Sequence, residues 1–360
     1  MSEVKAGLEG VVAFETEIAE PDREGSALRY RGVDIEELVG SKPFEQVWGL
    51  LVDQRFEPGM PVEGHHRPAR ITGSAPADLQ AATAALSAEW GLGQLIDISD
   101  AQARDDLARL SAVMISIVAQ SARGAELAPV DEAAVALGAT AAERFLLRWH
   151  GEADPAHVTA VDSYWVSAAE HGLNASTFTA RIVASTGADC AAAMSAAVGA
   201  LSGPLHGGAP TRVLKMLDEA ARVDDIEAYV KHLLDAGGRL MGFGHRVYRA
   251  EDPRARLLRR TAKELASPRF AVAEELERVA LRELHARKPD RVLATNVEFW
   301  SAVVLDVAEI PPTLAPAMFA CSRTGGWSAH VLEQKRTGRL IRPSAVYVGP
   351  ASRSLASVST

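Results

Sequence analysis

Apolar residues recur at three- and four-residue intervals along most of the chain, which predicts an almost wholly helical protein. Phe44, Val47, Trp48 and Leu51 mark one amphipathic helix, and Val213, Met216, Leu217 and Ala220 another. Ile226, Tyr229, Val230, Leu233 and Leu234 mark a third, stopped by Gly237 and Gly238. Residues 107–119 are apolar nearly all round, which assigns that helix to a core or an oligomer interface. Strand-like segments are confined to residues 7–32: residues 10–18 mix β-branched and acidic side chains, and Pro21, Asp22 and Gly25 punctuate a turn. A small N-terminal hairpin on a helical body is therefore expected. Asp34 reads as the N-cap of a helix over 35–39, and Asn296 opens a helix with Glu298 in its first turn. Residues 52–75 read as loop, a break falls near Gly91–Gly93, Pro311-Pro312 ends a helix, and 337–360 reads as a tail over the surface.

Composition narrows the class. A length of 360 residues fits one large domain or two moderate ones, and 48% hydrophobic residues suffice for a sizeable core. Aromatics are only 6%, with Ala and Leu abundant, which again favours helix. The 38 Lys and Arg against 47 Asp and Glu give a net charge of −9, so the chain lacks the basic block of a nucleic-acid binder. Cys190 and Cys321 form no CxxC pair and read as buried free thiols. The first ten residues contain no apolar signal region, and the apolar stretch 178–201 is broken by Arg181 and Asp189. A cytoplasmic protein without a membrane span is expected. His65 and His66, adjacent in a loop, lack a third ligand at metal-binding spacing.

The chemistry concentrates in residues 203–254, where His206 in GPLHGG and His245 in GFGHRVY are each flanked by glycine. Upstream, His171, Asn174 and the Ser/Thr residues at 176–178 would share one face if helical, either toward a ligand or in a satisfied polar network. Arg249, Arg254, Arg323 and Arg342 complete the candidates with Glu298. HExxH, GxSxG and a nucleotide-binding glycine fingerprint are missing, which disfavours a zinc protease, a serine hydrolase and a nicotinamide oxidoreductase. A carboxylate beside a neutral imidazole suits proton abstraction next to a carbonyl, a second imidazole can polarise an acceptor carbonyl, and guanidiniums bind carboxylates. Together they describe carbon–carbon bond formation. The ordinary readings are a cap donor for a glycine-flanked histidine, a solvated first-turn acid for Glu298 and a surface charge for Arg342.

Taken in order, HGLNASTF from His171, GPLHGGA from Gly203, GFGHRVY from Gly242, Asp252-Pro-Arg, NVEFW from Asn296 and RTGGWSAH from Arg323 make the chain resemble the citrate synthase family in its short bacterial form. The resemblance implies a mainly α fold with a large domain (1–205 plus 303–360), a small domain (206–302) and a homodimer. No regulatory N-terminal domain is expected, because the match starts near Gly7. The implied reaction condenses acetyl-CoA with oxaloacetate to citrate and free CoA, with no metal and no cofactor beyond the substrate. By motif, His206 would serve the enol of acetyl-CoA, His245 the oxaloacetate carbonyl, and Glu298 would be the base. His171, Arg254 and Arg323 would bind oxaloacetate, with Arg342 reaching the neighbouring subunit's site. Gly242, Phe243, Gly244, Val247 and Arg249 would belong to the CoA loop. Where the family usually has Asp as base, this chain has Glu298, and Glu170 stands where Asp is common. A 2-methylcitrate synthase using propionyl-CoA and a non-catalytic ligand-binding paralogue are the alternatives.

Overall fold

The computed structural model describes residues 4–8, 10–22, 27–206, 210–244, 248, 251–291 and 293–354. Three short antiparallel strands, β1 (Ala19–Asp22), β2 (Ala27–Tyr30) and β3 (Val33–Asp34), form a sheet in that order, with Ala19 opposite Tyr30 and Arg29 opposite Asp34. Residues 10–16, expected as strand, are not; pairing begins only at Ala19, and Pro21 lies within the strand rather than in the turn. A proline is tolerated there because β1 is an edge strand.

Helices follow: α1 (Ile35–Leu38), α2 (Phe44–Asp53), α3 (Ala75–Glu89), α4 (Asp100–Arg123), α5 (Glu132–Val135), α6 (Ala141–His150) and α7 (Pro155–Ala168). Then come α8 (Ala175–Ser185), α9 (Cys190–Leu201), α10 (Pro210–Ala220), α11 (Ile226–Asp235), α12 (Pro253–Glu264), α13 (Phe270–Arg287), α14 (Val297–Val307) and α15 (Ala315–Thr337). The expected caps form: Asp34 accepts from the Glu36 N–H at 3.0 Å, and Asn296 accepts from the Glu298 N–H at 3.1 Å. Each such cap satisfies a donor that the helix itself cannot.

The two longest helices, α4 and α15, pack against each other at the centre, with α2, α3, α7, α8 and α9 around them. Apart from the exposed Arg109, residues 107–119 of α4 are buried, so their apolar circumference belongs to the core of this chain. Trp48, Trp165 and Trp327 are fully buried, and each such side chain contributes about 2–3 kcal/mol or more by leaving water. The Trp48 indole donates to Ser111 Oγ at 3.0 Å and the Trp327 indole to Ser176 Oγ at 3.2 Å. Helices α10 to α14 pack on one another, and α12 and α14 also lie on α7. Cys190 and Cys321 are buried free thiols, as expected. After α15 the chain is tied at Ile341, whose N–H donates to Ser185 Oγ at 3.1 Å; residues 342–354 are exposed. Among the described residues no helix is long and apolar enough to cross a membrane.

The small sheet has a specific task. The fully buried Tyr30 hydroxyl donates to the carbonyls of Val166 and Ser167 at 3.0 and 3.2 Å and accepts from the Glu170 N–H at 3.3 Å. It thereby closes the C-terminal end of α7, where the chain turns into the loop carrying His171. Tyr30→Phe should therefore destabilise the protein by about 1–2 kcal/mol in urea unfolding, because it leaves buried backbone groups unpaired; a change within error would mean that water replaces the hydroxyl.

Candidate active site

Two helix N-termini are brought together by one carboxylate. Asp252 is 1% exposed and precedes Pro253, the first residue of α12, as an N-cap should. Its Oδ1 accepts from the Arg254 N–H and Nε at 3.1 and 3.0 Å. Its Oδ2 accepts from Arg254 Nη2 at 2.8 Å and from the Val297 N–H of α14 at 2.9 Å. Burial works against the Arg254 cation, but Asp252 outweighs it and holds the guanidinium above its ordinary pKa.

The residues assigned by motif to a CoA loop support the same helix end. Phe243 pairs with Thr295 in a β-bridge, and the Gly244 N–H donates to the Ala294 carbonyl at 2.7 Å. Asn296 donates from its backbone to the Gly242 carbonyl and from Nδ2 to the Gly244 carbonyl, each at 2.9 Å. Gly242 has φ +85°, and a Cβ there would stand 2.7 Å from Phe299 Cβ, so this approach needs glycine. Glu298 thus starts α14 from a fixed platform. Burial raises its pKa above the ordinary glutamate value, with Arg254 opposing and Asp252 reinforcing.

His206 stands in the turn after α9, its N–H donating to the Gly203 carbonyl at 2.9 Å. Its Nε2 is 2.9 Å from Ser176 Oγ, and its ring meets Phe319 edge-on at 6.0 Å. Ser176 Oγ also accepts from Trp327 Nε1 at 3.2 Å and lies 2.9 Å from Asn174 Oδ1. The hydroxyl has one proton and two acceptors within reach, so its rotamer decides which His206 nitrogen carries hydrogen. Burial, reinforced by Arg323, depresses the His206 pKa to about 4, so the imidazole is neutral near pH 7.

The condition under which His171 would share a helical face with Asn174 and residues 176–178 is not met. Gly172 takes φ +68°, and Asn174 is the N-cap of α8, accepting from the Thr177 N–H at 3.1 Å. His171 therefore lies in a loop, packed edge-on against Tyr248 at 5.2 Å. Arg323, on α15, is 3% exposed; burial lowers its pKa and Glu170 opposes that.

These elements enclose a cavity of about 170 Å³ walled by His171, His206, Arg254, Glu298, Phe319 and Arg323, among others. Five sequence candidates converge there. Arg342 does not: it is exposed on the tail and is absent from this cavity. His245, Val247 and Arg249 lie outside the described residues. The motif reading had given no role to Asp252, Ser176 or Tyr30, although the Asp-Pro pair signalled a helix cap. The arrangement offers a buried carboxylate with raised pKa, a neutral imidazole and two buried guanidiniums: a base, a hydrogen-bonding group for a developing oxyanion and a seat for carboxylates.

Known proteins are similar to this chain in sequence and fold. The sequence profile of the family described as "Citrate synthase, C-terminal domain" matches residues 7–344. A Mycobacterium tuberculosis protein named "Putative citrate synthase 2" is 59% identical over 353 residues, covering 98% of this chain and 95% of that one. The citrate synthase of Haloferax volcanii is 36% identical over 372 residues, covering 96% of each. Among solved structures, the citrate synthase of Thermoplasma acidophilum in ternary complex with carboxymethyl coenzyme A and oxaloacetate superposes with a TM-score of 0.83 at 27% identity, covering 99% of both chains. Citrate synthase from Pyrobaculum aerophilum gives 0.82 at 31% identity, over 98% of this chain and 94% of that one. The chain belongs to the citrate synthase family.

Proposed function

We propose that the protein condenses acetyl-CoA with oxaloacetate and water to give citrate and free CoA. The observation that carries this reading is the convergence of Glu298, His206, His171, Arg254 and Arg323 on one cavity. Glu298 removes a proton from the acetyl methyl group, and His206 hydrogen-bonds the enol oxygen that forms. The methyl carbon then adds to the keto carbon of oxaloacetate, and the new alkoxide takes a proton with His245 as its partner. Water attacks the citryl thioester, the C–S bond breaks, and CoA leaves as the thiol. Arg254, Arg323 and His171 hold the oxaloacetate carboxylates. Residues 242–249 hold CoA, residues 206–302 act as the small domain, and Arg342 completes the site of a second copy of the chain. The complex of the Thermoplasma acidophilum relative with oxaloacetate and a CoA analogue supports both substrates.

The depressed pKa of His206 suits this role. A neutral imidazole is a weak enough acid to share a proton with an enolate without surrendering a charge. The raised pKa of Glu298 makes it a stronger base than a solvated carboxylate. Its extra methylene, relative to the family's usual Asp, has to be taken up by a shift of about 1 Å; left uncorrected, such a displacement costs on the order of 100-fold.

Three measurements test the reading. Glu298→Gln should lower kcat by about 1000-fold or more while oxaloacetate binding in calorimetry stays within about threefold; near-full activity would remove Glu298 as base. The acid limb of the kcat/KM profile should follow Glu298, falling as pH drops through a midpoint above the ordinary glutamate value, and His206→Gln should leave that midpoint in place. A midpoint that moves with the His206 substitution would reassign the titrating group. Finally, kcat/KM should favour acetyl-CoA over propionyl-CoA, since one methylene changes discrimination by about 1–3 kcal/mol; the reverse preference would make propionyl-CoA the donor and 2-methylcitrate the product.

A further inference from the structure

Along one face of α15 stand Arg323, Gly326 and His330, at spacings of three and four residues. Glu170, from the loop before α8, lies across that face. A Cβ at Gly326 would collide with Glu170 Oε2 and the Ala169 carbonyl, so the glycine makes the room in which the carboxylate sits. Glu170 Oε1 is 3.4 Å from His330 Nε2. Glu170 is 0% exposed, His330 1% and Arg323 3%.

The protonation of this group follows from its hydrogen bonds. His330 Nδ1 is 3.0 Å from Arg181 Nη1. A guanidinium only donates, so Nδ1 accepts, and the single ring proton sits on Nε2 facing Glu170. His330 is therefore uncharged. Arg181 is balanced by Glu333, whose carboxylate also accepts from Thr16 Oγ1 at 3.2 Å and the Glu17 N–H at 3.1 Å. That leaves the charge of Glu170 with Arg323 as its counterpart. Burial pushes the Glu170 pKa up, but the N–H that His330 directs at the carboxylate and the Arg323 cation oppose it, and the net displacement is downward.

Glu170 and Arg323 are not in contact within ion-pair distance, and the Arg323 Nε and Nη1 atoms are buried with no hydrogen-bond partner among the described residues. Arg254 is held differently: its Nε and Nη2 atoms are both taken by Asp252. We propose that Glu170 is a positioning residue that serves as a stand-off counterion, balancing the buried Arg323 charge from behind while leaving its N–H groups free for a substrate carboxylate. The assignment of that carboxylate to oxaloacetate rests on the function proposed above. The Glu170–Arg323 coupling does not.

The test is a double-substitution cycle read by thermal unfolding of the ligand-free full chain, together with calorimetric titration of oxaloacetate. Glu170→Gln should lower the melting temperature by about 4 °C or more with Arg323 present and by less than about 1 °C in the Arg323→Met background. A merely structural role would lower both alike, and that result overturns the proposal. With Glu170 gone, oxaloacetate becomes the sole counterion of Arg323: its Kd should fall by about threefold or more, and its stabilisation of Glu170→Gln should exceed that of the unaltered protein. Oxaloacetate binding weakened by about tenfold would also overturn the proposal. If Glu170→Gln alone does not fold, folding of the Glu170→Gln/Arg323→Met pair supports the coupling, and failure of the pair overturns it. Absence of any oxaloacetate response in the unaltered protein would count against the proposed function, while the stability cycle would still decide the coupling.

Discussion

Asp252 is the constraint on which the site depends. One buried carboxylate caps α12, takes the inner edge of the Arg254 guanidinium and accepts the first N–H of α14. It therefore fixes an anion-binding cation and a candidate base in a single frame, with both helix dipoles pointing at its negative charge. A side chain at the end of a helix can be aimed only as well as the helix end is held. Here the second helix end is held further by Asn296 and by the bridge between Phe243 and Thr295. Desolvating such a carboxylate would cost several kcal/mol if it were unpaired, and four donors offset that cost.

The cavity then gathers groups of opposite chemical tendency. Burial raises Glu298 toward a useful base and lowers His206 toward an imidazole that is neutral near pH 7. The same low-dielectric surroundings would discharge a guanidinium less readily than any other cation, which suits arginine to both carboxylate seats. Two buried positive charges lining one cavity with a base have to be balanced, and the balance differs: contact with Asp252 for Arg254, and for Arg323 the carboxylate of Glu170, which stands off in the loop before α8.

Much of this was legible in the sequence because it is locally encoded. Helical periodicity, the caps at Asp34 and Asn296, the glycine stop at 237–238 and the buried circumference of 107–119 each depend on residues within a turn or two of one another. The misreadings have a common cause. Residues 10–16 have strand composition but no partner strand, so composition alone misled. The polar run from His171 shares one face only if it is helical throughout, and spacing alone does not show that it is not: Asn174 uses its side chain to cap α8 and Gly172 adopts a positive φ. Glu170 looked like a minor variation beside His171; its importance comes from Gly326 and His330, about 160 residues away, and no local pattern announces that meeting. Tyr30 and Ser176 are the same kind of residue, ordinary in sequence and placed by tertiary contact.

The central claim is that this cavity makes a carbon–carbon bond to the methyl carbon of an acyl thioester. It is tested most directly by following acetyl-CoA labelled with ¹³C at the methyl carbon, in the presence of oxaloacetate and purified protein, by ¹³C NMR. The account predicts that the methyl signal is replaced by a methylene carbon bonded to a quaternary centre, with one free thiol of CoA released per product. Labelled acetate with its methyl group intact, or a methyl signal that persists unchanged with both substrates present, would contradict it.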